Sequence, residues 1–394
     1  MKRIEHLTEL VQVFGKLGFI GFGGPAAHIA LMEQEVVKRR AWLTQDHFLD
    51  LLGATNLIPG PNSTEMALHI GFIRGRWLGL IIAGLSFILP AVTITGILAG
   101  LYVAYGALPQ VAPILYGIKP AVFAVILDAL WRLGQKAVKN RQLLLLAIAV
   151  ALMVLLFNVS EIVAILVGGL LGMVWLRQPP KKSTPDQAAQ GLMVGAIAGS
   201  ALKAAAVTNA VTGVNVWQLG WIFLKIGSLL FGGGYVLFAF LQGSLVEEHH
   251  WLTQQQLLDA IAIGQLTPGP ILSTATFIGY VLAGLPGAGV ATVGIFLPSF
   301  LFVAALNPLV SWLRASSWTA AFLDSVNVSA LALIAVVAIQ LGQTIFLKPV
   351  APYGDWIALA IAGVSLALTL RFRLNATWLV LGGAAAGWLV VQFM

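Results

Sequence analysis

One stretch of this sequence occurs twice, and each copy interrupts apolar segments with clusters of Gly and Pro. The first copy carries Phe22-Gly23-Gly24-Pro25, Trp42-Leu43-Thr44 and Pro59-Gly60-Pro61-Asn62-Ser63-Thr64. The second, about 209 residues later, carries Phe231-Gly232-Gly233-Gly234, Trp251-Leu252-Thr253 and Thr267-Pro268-Gly269-Pro270. In a soluble protein such clusters mark surface loops. The composition excludes that setting, because 59% of the residues are hydrophobic and only 9% are charged, against roughly 25% charged in a soluble domain. The apolar runs are long and continuous, which argues for helices over the short alternating strands of a barrel. The chain therefore reads as an all-α polytopic membrane protein. In a bilayer, backbone freed by Gly and Pro must be buried in protein or line a wet cavity. A duplicated pair of broken apolar segments is the sequence pointer to a transporter's binding site.

Charge placement predicts the topology. The formal charge of +7 lies in short loops beside apolar runs, as the positive-inside rule requires. The expected partner is thus a lipid bilayer and not nucleic acid. Lys2 and Arg3, then Lys38, Arg39 and Arg40, then Arg74 and Arg76, flank the runs 11–36 and 48–72 at every end. Full crossings would put adjacent basic loops on opposite sides. Re-entrant hairpins turning at the Gly/Pro clusters put all of these loops in the cytoplasm. Spans then follow at 77–105 and 108–130, ending at the basic residues Arg132, Lys136, Lys139 and Arg141.

Further spans are expected at 143–157, 162–175 and 191–207, so the second copy begins on the outer side. Its loops agree: Glu247-Glu248-His249-His250 stands where the first copy has Lys38-Arg39-Arg40. One fold unit with opposite charge signatures is the mark of inverted repeats, here expected to bring their hairpins together near the midplane. The expected organisation is a first repeat at 1–141 and connecting transmembrane helices at 142–210, with a polar linker at 178–190. A second, inverted repeat at 211–346 and a C-terminal helical hairpin at 347–394 follow. The expected location is the cytoplasmic membrane, with the N-terminus inside and the C-terminus outside. Met1 to His6 leads directly into a longer apolar stretch, which does not read as a cleavable signal. A homodimer is left open.

The breaks are where chemistry is expected. A half-helix restarting after a break presents unpaired N–H groups and the positive end of its dipole. Pro25 and Pro61 suit the first turn of such helices. Gly23, Gly24, Gly60, Gly232, Gly233 and Gly269 allow backbone N–H groups to approach an anion closely. Pro59, Thr267, Pro268 and Pro270 complete the breaks, and Asn62, Ser63, Thr64, Ser273 and Thr274 add short donors. Four such starts brought together make an anion site.

Ionisable residues inside apolar runs add candidates. Lys119 lies mid-span, with Asn327 at its equivalent, and a buried cation needs an anionic ligand or partner. Asp128, Glu65 and Glu33 are the expected partners, and Glu65 could also carry a coupling proton. Lys16 and Lys225 are equivalent, each six residues before its Phe-Gly-Gly. Asp50 and Asp259 also match between copies and are expected to cap or anchor hairpin arms. His28 and His69 lack metal-ligand spacing, so neither metal nor cofactor is expected. The absence of Cys excludes thiolate sites and disulfides. No nucleophile–base constellation stands out, which argues against an enzyme. Trp77, Trp131, Trp175, Trp356 and Trp378 sit at span ends, as interfacial anchors do.

These residues resemble the chromate ion transporter family in its long form with two homologous halves. The resemblance is carried by Phe22-Gly23-Gly24-Pro25-Ala26-Ala27-His28 and Leu57-Ile58-Pro59-Gly60-Pro61-Asn62-Ser63-Thr64. In the second half it is carried by Phe231-Gly232-Gly233-Gly234-Tyr235 and Thr267-Pro268-Gly269-Pro270. It implies export of chromate from the cytoplasm, giving resistance, with sulfate as the lookalike substrate. Uptake of sulfate or a related oxyanion is the alternative. The second half lacks equivalents of Pro25, His28 and Asn62, so the halves are not expected to contribute alike.

Overall fold

The computed structural model describes residues 2–55, 58–106, 108, 110–157, 159–176, 214–231, 234–306, 317–346, 355–372 and 374–393. The linker 178–190, the span 191–207, Gly232 and Gly233 lie outside the described residues. Apart from the breaks and short connections, the described residues are helical. The first half comprises α1 (Lys2–Ile20), α2 (Gly24–Glu33), α3 (Gln45–Thr55), α4 (Asn62–Tyr105) and α5 (Ala112–Ala137). A helical pair, α6 (Arg141–Phe157) and α7 (Glu161–Trp175), follows. The second half repeats the pattern with α8 (Val216–Leu229), α9 (Leu237–Leu241), α10 (Gln254–Leu266), α11 (Thr274–Leu306) and α12 (Ser317–Phe346). A second pair, α13 (Asp355–Phe372) and α14 (Ala376–Phe393), ends the chain. Among the described residues, four helices are long and apolar enough to cross a membrane, within Asn62–Tyr105, Ala112–Ala137, Ile271–Ala305 and Trp318–Phe346. Trp77, Trp131, Trp175, Trp356 and Trp378 are all exposed.

The 44 residues of α4 do not form one rod. Gly75 and Arg76 leave helical geometry, Arg76 with φ 55°. Gly71 and Gly79 pack backbone to backbone, so a Cβ on either would strike the carbonyl of the other. Eight residues of straight helix would separate them by about 12 Å, so the two arms fold back on each other. Helix α11 does the same at Ala283 and Gly284, with Gly279 against Gly287. The loop expected at Arg74 and Arg76 is the first of these turns.

The two halves share several backbone contacts at equivalent positions. Trp42 N–H donates to Val36 O and Trp251 N–H to Leu245 O. Ala41 and His250 share a left-handed conformation, at φ 49° and 53°. Gly18 of α1 lies against Phe87 O, and Gly227 of α8 against Ile295 O. In each case only a missing side chain lets the helices approach this closely.

Helices α4 and α11 pack on each other at the centre, backed by α1 and α8 respectively. The flanking pairs are exchanged between halves: α6 and α7 pack on α12 of the second half, α13 and α14 on α5 of the first. Small residues make this possible. Gly168 and Gly172 of α7 meet Ser329 and Ser325, and Gly383 and Gly387 of α14 meet Gly117.

Candidate functional site

The breaks meet reciprocally. Gly60 N–H donates to Leu230 O at 2.8 Å, and Gly269 N–H donates to Gly21 O at 2.8 Å. Each donor is the glycine of one half's Pro-Gly-Pro, and each acceptor is the carbonyl just past the end of α8 or α1. Gly60 and Gly269 hold φ of 145° and 91°, a region that disfavours side chains. These two N–H groups were expected to face an anion. They tie the halves together instead, because the carbonyls beyond α1 and α8 need donors as well. Pro25 occupies the first turn of α2, as expected. Pro61 sits one position outside α4, as its extended N-cap at φ −80° and ψ 109°.

Polar side chains crowd this junction. His28 Nε2 pairs with the same Gly21 carbonyl at 2.8 Å, and its ring stands edge-on to Phe87. Ser63, Thr64 and Glu65 are buried, and neither Glu65 oxygen has a hydrogen-bond partner among the described residues. A Cβ on Gly60 would strike Glu65 Oε1 and lie 2.5 Å from Ser299 Oγ, which is also unpartnered. On the opposite side, a Cβ on Gly269 would meet Ala91 Cβ at 2.9 Å, and Thr95 donates to Ser273 at 3.1 Å. The carboxyl and hydroxyl therefore stand on one side of the junction only.

Lys119 is not waiting for an anion. Its ammonium bonds Gln255 Oε1 at 2.5 Å and lies 3.3 Å from Asp259 Oδ1. Tyr102 donates to Asp259 Oδ2 at 2.9 Å. The partners expected for Lys119 are engaged elsewhere or remote: Asp128 holds Arg132 at 2.9 Å, Glu33 holds Lys38 at 3.3 Å, and Glu65 stays with Gly60. Helix α10 of the second half packs on α5 of the first, which brings Asp259 to Lys119. Asp259 thus does more than anchor a hairpin arm. The equivalence of Asp50 and Asp259 was the available signal; Tyr102, Gln255 and Ser299 carried none.

Lys16 and Lys225 are not alike either. Lys16 reaches Glu35 at 2.9 Å, whereas Lys225 is half-buried with no ion pair among the described residues. Glu35 also meets Arg39 and Arg40 at 3.1 and 3.6 Å. Lys16, with Arg39 adding to it, holds the Glu35 carboxyl below the usual carboxylate range, against the opposing effect of burial. Beside this group Arg40 and Arg74 stack on Trp42 at 5.4 and 4.9 Å, and Arg74 pairs with Glu9 at 2.6 Å. A cleft of about 200 Å³ opens here, lined by His6, Trp42, Leu43, Ile70, Ile73 and Arg74. Asn327 is half-buried on α12.

The family described as "Chromate transporter" matches this chain twice, over residues 8–173 and 217–388. A protein named "Chromate transport protein" in Cupriavidus metallidurans is 33% identical over 381 residues, covering 96% of this chain and 92% of that one. A "Probable chromate transport protein" of Synechococcus elongatus is 31% identical over 86% of this chain and 85% of its own. A "Chromate transport protein" of Pseudomonas aeruginosa is 30% identical, covering 97% and 92%. No solved structure matches.

Proposed function

Because the chain belongs to the chromate transporter family, we propose that it exports chromate from the cytoplasm across the inner membrane as a secondary transporter rather than an enzyme. The two halves act as inverted repeats, with boundaries near 141, 210 and 346, the N-terminus inside and the C-terminus outside. The observation that carries the mechanism is the reciprocal pair of hydrogen bonds, Gly60 to Leu230 and Gly269 to Gly21. Two equivalent halves joined at equivalent points can exchange conformations about that junction, giving alternating access. Glu65, buried and unpartnered beside the junction, is the candidate for exchanging a proton inward. Lys119 acts through its pairing with Asp259 and not as a bare cation.

The direction follows from charge. Moving one elementary charge through 100 mV is worth about 2.3 kcal/mol, so a dianion leaving a negative-inside cell gains roughly 4.6 kcal/mol. At about 1.4 kcal/mol per tenfold, this sustains a gradient on the order of a thousandfold. Uptake would need at least three cotransported cations merely to reverse the sign of the transferred charge. Proteoliposome flux of labelled chromate and sulfate under an imposed potential tests the proposal. Chromate should leave a negative-inside lumen, and clamping the potential at zero should slow it. Potential-independent export would sink the energetic account, and net sulfate uptake against the potential would favour the opposite direction. Single-Cys labelling in this Cys-free chain should find Arg40 inside and His249 outside.

A further inference from the structure

The start of α2 meets two other parts of the chain. Gly23 and Gly24 both take positive φ, 107° and 78°. A Cβ on Gly24 would lie 3.6 Å from the Tyr235 hydroxyl. A Cβ on Gly23 would lie 3.0 Å from Asn375 Oδ1 and 3.1 Å from its Nδ2. Asn375 precedes α14, so the helix starts of α2 and α14 converge here. Gln265, near the end of α10, stands beside the Tyr235 hydroxyl. Only 8% of it is exposed, yet its Nε2 has no hydrogen-bond partner among the described residues. The same is true of Asn375 Oδ1.

An orphaned amide this deep is rare in a folded protein and costs stability. The neighbouring carbonyls do not account for it. Ile263 O accepts Thr267 N–H at 3.1 Å and Thr267 Oγ1 at 2.8 Å, and Gln265 O accepts Thr377 Oγ1 at 3.4 Å. The Gln265 side chain hydrogen-bonds the Tyr235 hydroxyl, and its Nε2 is left without an acceptor among the described residues. The nearby charges, Asp128 and Arg132, neutralise each other across 2.9 Å. What remains is the Gln265 Nε2 donor beside the starts of α2 and α14, whose dipoles favour negative charge.

We propose that Gln265, Tyr235 and Asn375, with the Gly23–Gly24 start of α2, form the cradle that holds the tetrahedral oxyanion. The cradle draws Gly23 and Gly24 from the first half, Tyr235 and Gln265 from the second and Asn375 from the C-terminal pair, so relative motion of the halves opens or closes it. Asn375 turns its amide to offer Nδ2 when the anion enters. The inference rests on the transport function proposed above and assigns that function's binding residues.

The test compares Gln265→Leu and Tyr235→Phe with the unaltered protein, by equilibrium binding of radiolabelled chromate and sulfate in detergent and by flux in proteoliposomes. Each variant removes donors while keeping the side chain's bulk. Loss of a hydrogen bond to an anion predicts an apparent Kd and KM raised on the order of tenfold to a hundredfold. Thermal stability should be unchanged, or raised for Gln265→Leu, since an orphaned amide disappears. Unchanged Kd and KM with a raised Tm would mean an orphan of packing only and would overturn the cradle while leaving chromate export standing. An unaltered protein that binds and moves sulfate but not chromate would overturn the chromate reading. Loss of sulfate binding in the variants would then still support the cradle.

Discussion

Helices α3 and α10 are equivalent arms of the two halves, yet the molecule treats them differently. Helix α10 is buried from Leu257 to Gln265, packed on α5, α11 and α14. Helix α3 packs mainly on α4 and leaves Leu49 and Asp50 exposed. Asp259 is 4% exposed and held by Lys119 and Tyr102. Its counterpart Asp50 would have to meet Asn327, an amide instead of an ammonium. A charge-assisted bond is roughly twice as strong as a neutral one, so the Lys119–Asp259 contact holds α10 more firmly than an Asp50–Asn327 contact could hold α3. In the proposed inverted arrangement, the Lys119–Asp259 pair seals one face of the junction. Two copies of one unit caught in two environments are what alternating access requires of a single static state.

The strongest way to break the comparison is to remove half of the Lys119–Asp259 pair. Lys119→Gln or Asp259→Asn leaves one buried charge without its partner, a loss of about 3–5 kcal/mol for such pairs. Transport should be abolished and the melting temperature lowered. The Lys119→Gln/Asp259→Asn double variant should regain much of the stability, since no lone charge remains, without regaining full transport. A double variant no more stable than either single one would show that the two side chains do not act as a pair.

A second experiment asks whether the arms exchange roles. Cys at Asp50 and Asn327 in this Cys-free chain should cross-link slowly at rest and faster in the presence of transported anion. Cys at Gln255 and Lys119 should do the reverse. Equal cross-linking of both pairs under all conditions would end the idea that the two arms alternate.

The smallest effect is expected where charge is most exposed to water. Glu35 is held low by Lys16, so this stabilisation is present above the unfolded carboxylate value of about 4.3. It disappears as pH falls through the lower folded value. Glu35→Gln should therefore lower stability at pH 7 by on the order of 1 kcal/mol, because Lys16 is half-exposed. The difference between the two proteins should close as the pH drops below about 4. A difference that persists at acid pH would assign Glu35 a packing role instead.

Much of the architecture was legible because it is local. Apolar runs and their Gly/Pro interruptions act over a few helical turns and recur about 209 residues later, and the positive φ of Gly23, Gly24, Gly60 and Gly269 follows from the same clusters. The candidate site was legible only as a set of breaks. Which N–H groups remain for a ligand depends on what the opposite half presents, and Gly60 and Gly269 spend theirs on Leu230 and Gly21. Asn375 carried no signal, because it lies far along the chain from the duplicated Gly/Pro clusters.

By itself, then, the sequence determined that this chain is an all-α membrane protein with two related halves broken at equivalent points, since burial of apolar surface and helix breaking depend on composition and short spacing. Only the tertiary structure decided that Lys119 would meet Gln255 and Asp259, the first of them 136 residues away. It also decided that α13 and α14 would pack on the first half, and that the Gln265 Nε2 would be buried without an acceptor among the described residues. Those outcomes depend on which small residues let helices from different halves approach, and no local period in the chain encodes that choice.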